Sequence, residues 1–323
     1  MTFAGKLRAA LLQALVLGTV VAVGVYLVHN TLVNLGRQGI ATGFAYLDRQ
    51  ASFEIGEKLI DYSASDSYGR ALLVGLFNTL EIAILGCALA TLLGLVIGIA
   101  RLSANWLLRQ LAAIYVEAIR NVPLLLQLFV WWNVFRMGAP PPRQAWALLP
   151  GVFLSNRGLV FPTPAWSGGF HWDVPHLAGF NFVGGHAVTP EFAALLLGLV
   201  VYTAAFIAEI VRAGIEGVPR GQSEAAAALG LRRGQALRLV ILPQARRIIL
   251  PPLIGEYQAL TKNSSLAVAI GFPELMSITN TTLNQTGQAI EAIALMMTVY
   301  LALSLLTAMG VNWYNARAAL VER

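Results

Sequence analysis

The side chains able to do chemistry in this chain lie inside long apolar runs, where each needs a partner or a path to water. A charge at the centre of a bilayer costs about 2.5 kcal/mol or more. Glu117 and Arg120 stand three apart, so one helical face holds both. They pair there, or Arg120 snorkels to the headgroups. Pro123 follows and predicts a kink, with Gln127 just beyond it. Tyr202 and Glu209, seven apart, share a face of another run. Lys262 forms a polar cluster with Asn263, Ser264 and Ser265 in a third. A zwitterion needs a cation or a helix N-terminus for its carboxylate and an acid or carbonyls for its ammonium. Glu209 and Lys262 supply both charges, and they would equally satisfy one another as a structural pair between helices. Asn78, Thr79 and Glu81 read as interfacial polar residues near the end of their run.

Other chemistries lack their residues. No Gly-x-x-x-x-Gly-Lys-Ser/Thr phosphate loop occurs: the Gly5-Lys6 pair is followed by Leu7, so ATP hydrolysis by this chain alone is not expected. There is no Gly-x-Ser-x-Gly elbow and no Cys-His set. His171, Asp173 and His176 share one loop without a recognisable ligand spacing, and no metal site is expected from them. Cys87, the single cysteine, lies in an apolar stretch and reads as a small buried hydrophobe.

The elements that must position these residues are bilayer-spanning helices. The 323 residues are 57% apolar and only 12% charged, against about 25% charged in soluble domains. The mean hydropathy is +0.67. A span needs about 20 mostly apolar residues. Runs near 9–28, 71–100, 111–135, 192–211, 248–271 and 289–311 qualify, which predicts about six helices. The first follows Lys6 and Arg8 like a signal peptide, but its apolar run exceeds the usual length of about 7–15 residues, so it reads as an uncleaved anchor.

The net charge of +6 and the pI near 9.7 raise the question of nucleic acid, and the placement of the charges answers it. With the N-terminus cytoplasmic, thirteen of the 22 basic residues fall in inside loops and seven outside, Arg120 and Lys262 lying within spans. That asymmetry puts both termini inside and needs no nucleic acid. Two outside segments are long. Residues 29–70 carry five acids against four bases, and residues 136–190 are rich in Pro, Gly, Trp and Asn without a clear period. The second is expected to lie on the outer membrane surface, where Trp146, Phe161, Trp166, Phe170 and Trp172 suit the headgroups.

Residues 211–243 form the informative inside loop, basic and helical in pattern. Ser223 reads as a helix cap with Glu224 in the first turn, and Gly230 as the C-terminal stop. A helix of two turns is unstable alone, so something must pack on it, and Ala225, Ala226, Ala227 and Ala228 let a partner's backbone come close. A gradient-driven secondary transporter, the alternative reading, has no use for such a loop.

Glu224-Ala225-Ala226, three residues, Gly230, nine residues, then Val240-Ile241-Leu242-Pro243 resembles the EAA loop of ABC importer permeases, with Val240 in place of Ile. Asn78-Thr79-Leu80, the 115–127 run through Glu117, Arg120, Pro123 and Gln127, the 202–214 run through Tyr202 and Glu209, and Lys262 to Leu266 with Ser265 resemble the polar amino acid permeases of the histidine, glutamine and arginine group. Phe153 to Leu159 is similar to the general L-amino acid permease branch, although the 136–190 loop is shorter than in many of those subunits and Ser223 stands where an aromatic is common.

The resemblance implies an all-α integral membrane protein, a type I ABC importer bundle in a bacterial inner membrane. Residues 1–70 would be an anchor with its external loop, 71–312 the permease core, and 313–323 a cytoplasmic tail. The core would carry the external loop 136–190 and a coupling loop at 212–247. Glu224, Ala225, Ala226, Gly230, Leu242 and Pro243 would dock on a separate ATP-binding subunit holding ATP and Mg. A second permease, identical or homologous, and an external amino-acid-binding protein complete the implied assembly. Glu117, Arg120, Gln127, Tyr202, Glu209, Lys262 and Ser265 are the candidate pathway residues.

Overall fold

The computed structural model describes residues 3–39, 42–166 and 169–318. Helix α1 (Phe3–Arg37) is apolar all round, and its spanning portion is wholly exposed to what would be lipid. Helix α2 (Tyr68–Arg101) starts at Ser67, whose side chain accepts the Arg70 N–H, and runs beside α5 (Pro190–Glu216), which Thr189 caps at Phe192 N–H. These two helices are parallel and share the most extensive helix–helix contact among the described residues. Gly94 and Gly98, four apart on α2, face Ala204, Ile207, Ala208 and Val211 of α5. A Cβ at Gly94 would lie 2.7 Å from Ile207 Cβ, and one at Gly98 2.8 Å from Val211 Cβ. Small residues at this spacing let helix backbones approach in lipid, where apolar burial gives no drive for association.

The run at 111–135 is two helices, not one span. Helix α3 (Trp106–Arg120) and α4 (Leu124–Met137) meet at 103°. Pro123 lacks an N–H and pushes Val122 out of helical backbone, so the expected kink becomes a break. The freed carbonyls of Ile119 and Val122 accept Gln127 Nε2 at 2.9 and 3.0 Å. The run at 248–271 also differs from a plain span. Helix α8 (Leu242–Asn263) carries Pro251, Pro252, Glu256 and Lys262 and passes into a 3₁₀ turn at Ser264–Ala269. Among the described residues four helices are long and apolar enough to cross a membrane, or five with the bent pair as one.

Helix α9 (Leu275–Thr286) and α10 (Ala289–Ala318) complete the bundle, joined at Gly287, whose φ of +72° a side chain would strain. Leu128 of α4, Leu195, Leu199 and Ile207 of α5, Leu260 of α8 and Phe272 form the centre of the core, with Cys87 half-buried against it. The segment before α2 joins this bundle: Tyr46, Ala51, Ile55 and Tyr62 pack with Leu72, Val74, Leu275 and Ile278.

The 136–190 segment is not irregular. Strands β1 (Trp146–Leu149), β2 (Val152–Ser155), β3 (Gly158–Phe161) and β8 (His186–Val188) make an antiparallel sheet in that order. Strand β4 (Thr163–Ala165) pairs with β5 (His171–Asp173), and β6 (His176–Ala178) with β7 (Asn181–Val183).

Candidate functional site

Helix α6 (Arg220–Ala228) lies within the 211–243 loop. It begins three residues before Ser223, because Pro219 cannot extend α5 and is itself the capping residue. Ser223 therefore lies within the helix and caps nothing, and Glu224 falls beyond the first turn. The predicted stop is where expected. Gly230 takes φ +77° and closes a Schellman turn, its N–H donating to Ala227 O at 2.9 Å and Leu231 N–H to Ala226 O at 3.1 Å. Ala226 is buried, while Glu224, Ala225 and Gly230 are exposed, a bare small-residue face with nothing of this chain upon it.

A side-chain hydrogen bond ties α6 to α8, and the loop around it rests on an apolar cluster. Gln244 Nε2 of α8 donates to Gln222 Oε1 at 3.1 Å, and Val218, Ile241 and Ala245 form a small buried cluster under the loop. Between α6 and this cluster opens a cleft of about 790 Å³ lined by Ile215, Glu216, Ser223, Ala227, Leu231 and Leu237. Helix α7 (Arg233–Ala236) leads into a π turn at Leu237–Ile241, after which Leu242 starts α8 and Pro243 sits exposed in its first turn. The widened turn accommodates a proline that has no N–H for the carbonyl four residues back.

Glu209 is the hub of a charge cluster just above the cleft. It accepts from Arg101, the last residue of α2, and from Arg212, which also donates to Glu216 Oε2. Arg101 and Glu209 are largely buried, so removing either charge alone would strand the other. Lys262 does not reach Glu209. Helix α8 meets α5 at Ile249 against Gly214 and meets α2 at Leu260 against Gly86, so it runs opposite to α5. Lys262 therefore lies about 12 Å along the bundle from Glu209, by the rise of a helix. It is exposed and, among the described residues, has no ion-pair partner; Ser265 Oγ donates to its backbone carbonyl at 2.7 Å.

Glu117 and Arg120 do not pair either. Arg120 turns to α5, its guanidinium carbon 4.9 Å from the Phe206 ring centre, and Phe206 in turn lies 5.0 Å from Tyr202. Tyr115 Oη donates to Val201 O at 2.7 Å and fixes α3 to the same stretch. The structure thus brings Arg120, Tyr202 and, two turns further along α5, Glu209 to one side of the bundle. Glu117 is exposed at the end of α3, and Gln127 is buried as the cap of the helix break.

At the opposite end Asn78 and Thr79, which the sequence marks with Glu81 as interfacial residues, enter a polar junction. Asn78 Nδ2 donates to Glu57 O and Pro273 O, both at 2.9 Å, and Thr79 Oγ1 accepts Leu275 N–H at 3.1 Å. Glu274 caps α9 by accepting Met276 and Ser277 N–H, and accepts Tyr300 Oη at 2.8 Å. Burial pushes its carboxyl up to about 7, against the lowering effect of those hydrogen bonds. Glu57 accepts from Thr189 Oγ1 and is likewise pushed up to about 7, by burial first and then by Glu81 and Glu191. Glutamate is not among the usual capping residues, so nothing local marks either Glu274 or Glu57 in the sequence. In the β subdomain, Asp173 accepts Gly185 N–H at 2.9 Å, and among the described residues no three of His, Cys, Asp and Glu group as metal ligands.

The fold is a multi-pass helical bundle with a small-residue helix presented at one end and a charge cluster behind it. The chain belongs to the family of binding-protein-dependent transport system inner membrane components, whose model matches residues 72–319. It is 46% identical to the putative amino-acid ABC transporter permease protein YhdX of Escherichia coli strain K12, over 98% of this chain and 95% of that one. It is 44% identical to the general L-amino acid transport system permease protein AapQ of Rhizobium johnstonii, over 98% and 94%. The crystal structure of an amino acid ABC transporter with histidines superposes with a TM-score of 0.58 at 26% identity, covering 77% of this chain and 95% of that chain. The inward-facing MetNI methionine ABC transporter shares the fold, with a TM-score of 0.56 at 18% identity over 78% of this chain and 98% of that one. The chain is accordingly a multi-pass protein of the inner membrane.

Proposed function

We propose that this chain is the permease subunit of an ATP-driven amino acid importer, and that α6 is the helix through which a separate ATP-binding subunit drives it. The observation that carries this reading is the exposed face of Glu224, Ala225 and Gly230, closed by a Schellman turn and bonded to α8 through Gln222 and Gln244. ATP and Mg belong to that partner. A second permease subunit, identical or homologous, completes the pathway, and an external binding protein delivers the amino acid. The relatives' names support amino acids as the cargo.

The mechanism is a linkage between two states of the bundle. Closure of the partner's nucleotide dimer moves α6, and the Gln222–Gln244 bond and the Val218–Ile241–Ala245 cluster carry that motion to the inner ends of α5 and α8. Arg120 and Tyr202 face the pathway as contacts for a carboxylate and an apolar side chain, while Glu209 with its arginines locks α2 to α5 below them. Family membership leaves the gradient-driven alternative without support, since such a carrier needs neither a binding protein nor α6.

The test is uptake in proteoliposomes holding the full assembly. Gly230→Asp is expected to leave ATP hydrolysis in place and to abolish uptake of the amino acid. Uptake at the wild-type rate in that variant, or uptake driven by an ion gradient without ATP, would overturn the reading.

A further inference from the structure

The N-terminal end of α5, opposite α6, carries charges with no part in the mechanism so far. A cavity of about 430 Å³ opens there, lined by Arg136, Asn156, Arg157, Thr189 and Glu191. A second, of about 310 Å³, shares Thr189 and Glu191 and adds Glu57. Small molecules bind in spaces of about 300–1,000 Å³. The Ser155-Asn-Arg-Gly158 stretch is what brings Arg157 to this place. Ser155 pairs with Gly158 across the β2–β3 hairpin, so Asn156 and Arg157 form its turn. A Cβ at Gly158 would lie 2.1 Å from Val188 O, so the turn is pressed against the entry to α5.

Opposite charges line this space without meeting. Among the described residues neither arginine comes within ion-pair distance of an acid, although Glu191 shares the cavity with both. Trp132 accounts for the gap at Arg136. The guanidinium lies 4.9 Å over the centre of its ring, while Nε1 at the ring edge donates to Glu191 Oε1 at 3.1 Å. Face and edge of one indole thus hold the cation and the acid apart. Glu57 is already engaged by Thr189 Oγ1, which leaves Glu191 as the acid facing the arginines. Such a gap is complementary to a molecule that carries both charges, its carboxylate toward the guanidinium forks and its ammonium toward Glu191. At about 100° per residue, positions 11 and 18 apart share a helix face, so Glu191, Tyr202 and Glu209 lie on one side of α5. Glu191 stands about 16 Å along the helix from Tyr202.

We propose that this cavity is a receiving site for a free α-amino acid, in which Arg136 and Arg157 take the carboxylate and Glu191 the ammonium before the solute moves along α5 to Tyr202 and Arg120. The orientation read from loop charges makes it the outer end of the path. The inference deepens the amino acid importer reading and rests on it for the class of ligand. Only the main-chain groups of the solute are gripped, so the site accepts side chains of different kinds.

The experiment takes the full chain in nanodiscs, with Asn156→Cys in a Cys87→Ser background, and follows the rate at which the neutral reagent N-ethylmaleimide labels the cavity. L-alanine and L-glutamine, each at about 20 mM, are expected to slow labelling about threefold, as a site with a Kd of about 10 mM requires. Ethylamine and propionate, which each carry one of alanine's two charged groups, should not slow it, and Glu191→Gln should abolish the protection. Equal protection by propionate would mark a plain anion site and overturn the proposal, as would labelling that neither amino acid slows. Should the cysteine variant not reconstitute, the indole N–H resonance of Trp132 in the wild-type chain, assigned with Trp132→Phe, decides. A shift with L-alanine and none with ethylamine or propionate supports the site, and no shift with either amino acid refutes it. Both readouts are taken without ATP. Absence of ATP-driven uptake by the full assembly would therefore sink the importer reading while leaving protection in place.

Discussion

At the scale of single residues, Glu209 shows how a charge inside a membrane acquires its meaning. It stands between two arginines, one at the end of α2 and one a turn along its own helix, so it is a hub and not a lone binding carboxylate. Glu209→Gln is expected to lower the thermal midpoint of the purified chain, and adding Arg101→Gln should restore part of the loss. The coupling from that double-mutant cycle should be about 1–3 kcal/mol; strictly additive losses would refute the hub. Glu57 makes a different prediction. Its carboxyl is raised to about 7, so the fold binds this proton more tightly than the unfolded chain does. Its contribution is fully present below the ordinary carboxylate range and is lost as pH rises through about 7. Thermal stability should therefore fall on raising pH across that window, and Glu57→Gln should flatten the fall while keeping an acceptor for Thr189. An unchanged slope, with Glu274 still present, would show that Glu57 contributes nothing to it. The sequence marks Glu209, Arg120 and Tyr202 because charge and aromatic spacing in an apolar run are visible locally. It hides their partners, since Arg101 is 108 positions from Glu209 and reads as an ordinary loop charge.

At the scale of elements, apolar length alone locates α1, α2, α5 and α10 closely and misjudges the rest. Pro123 announces the α3–α4 break, yet a right angle in place of a kink depends on Gln127 being there to take the freed carbonyls. The β subdomain escapes detection because its strands are three or four residues long and several expose both faces, so no alternation of two develops. Gly94 and Gly98 look like any glycines in an apolar run until α5 is placed against them. There the missing Cβ atoms leave room for Ile207 and Val211, and Gly98→Leu is expected to cost about 3 kcal/mol and to reduce the amount of folded chain recovered from membranes. Gly221→Leu, where a Cβ meets open space, is the matched control and should be tolerated. Equal recovery of the two variants would contradict the α2–α5 seam.

At the scale of the whole molecule, the chain is built in three levels along the membrane normal. A polar junction of Glu57, Asn78, Thr189 and Glu274 closes one end. The apolar core on Leu195, Leu199 and Leu260 fills the middle, and the charge cluster and α6 occupy the other end. The family was legible because the α6 loop is a local pattern of fixed spacing, which survives without knowledge of the fold. Span count and the outer architecture were not, because they depend on packing between distant segments. The central claim is that α6 is where a partner's work enters the bundle. The most direct measurement is a cross-link from Ala225→Cys in a Cys87→Ser background, made in native membranes with a short bifunctional reagent and identified by mass spectrometry. The account predicts an adduct to a nucleotide-binding subunit, weakened by Gly230→Asp; a face that cross-links to no such subunit in intact membranes would contradict it.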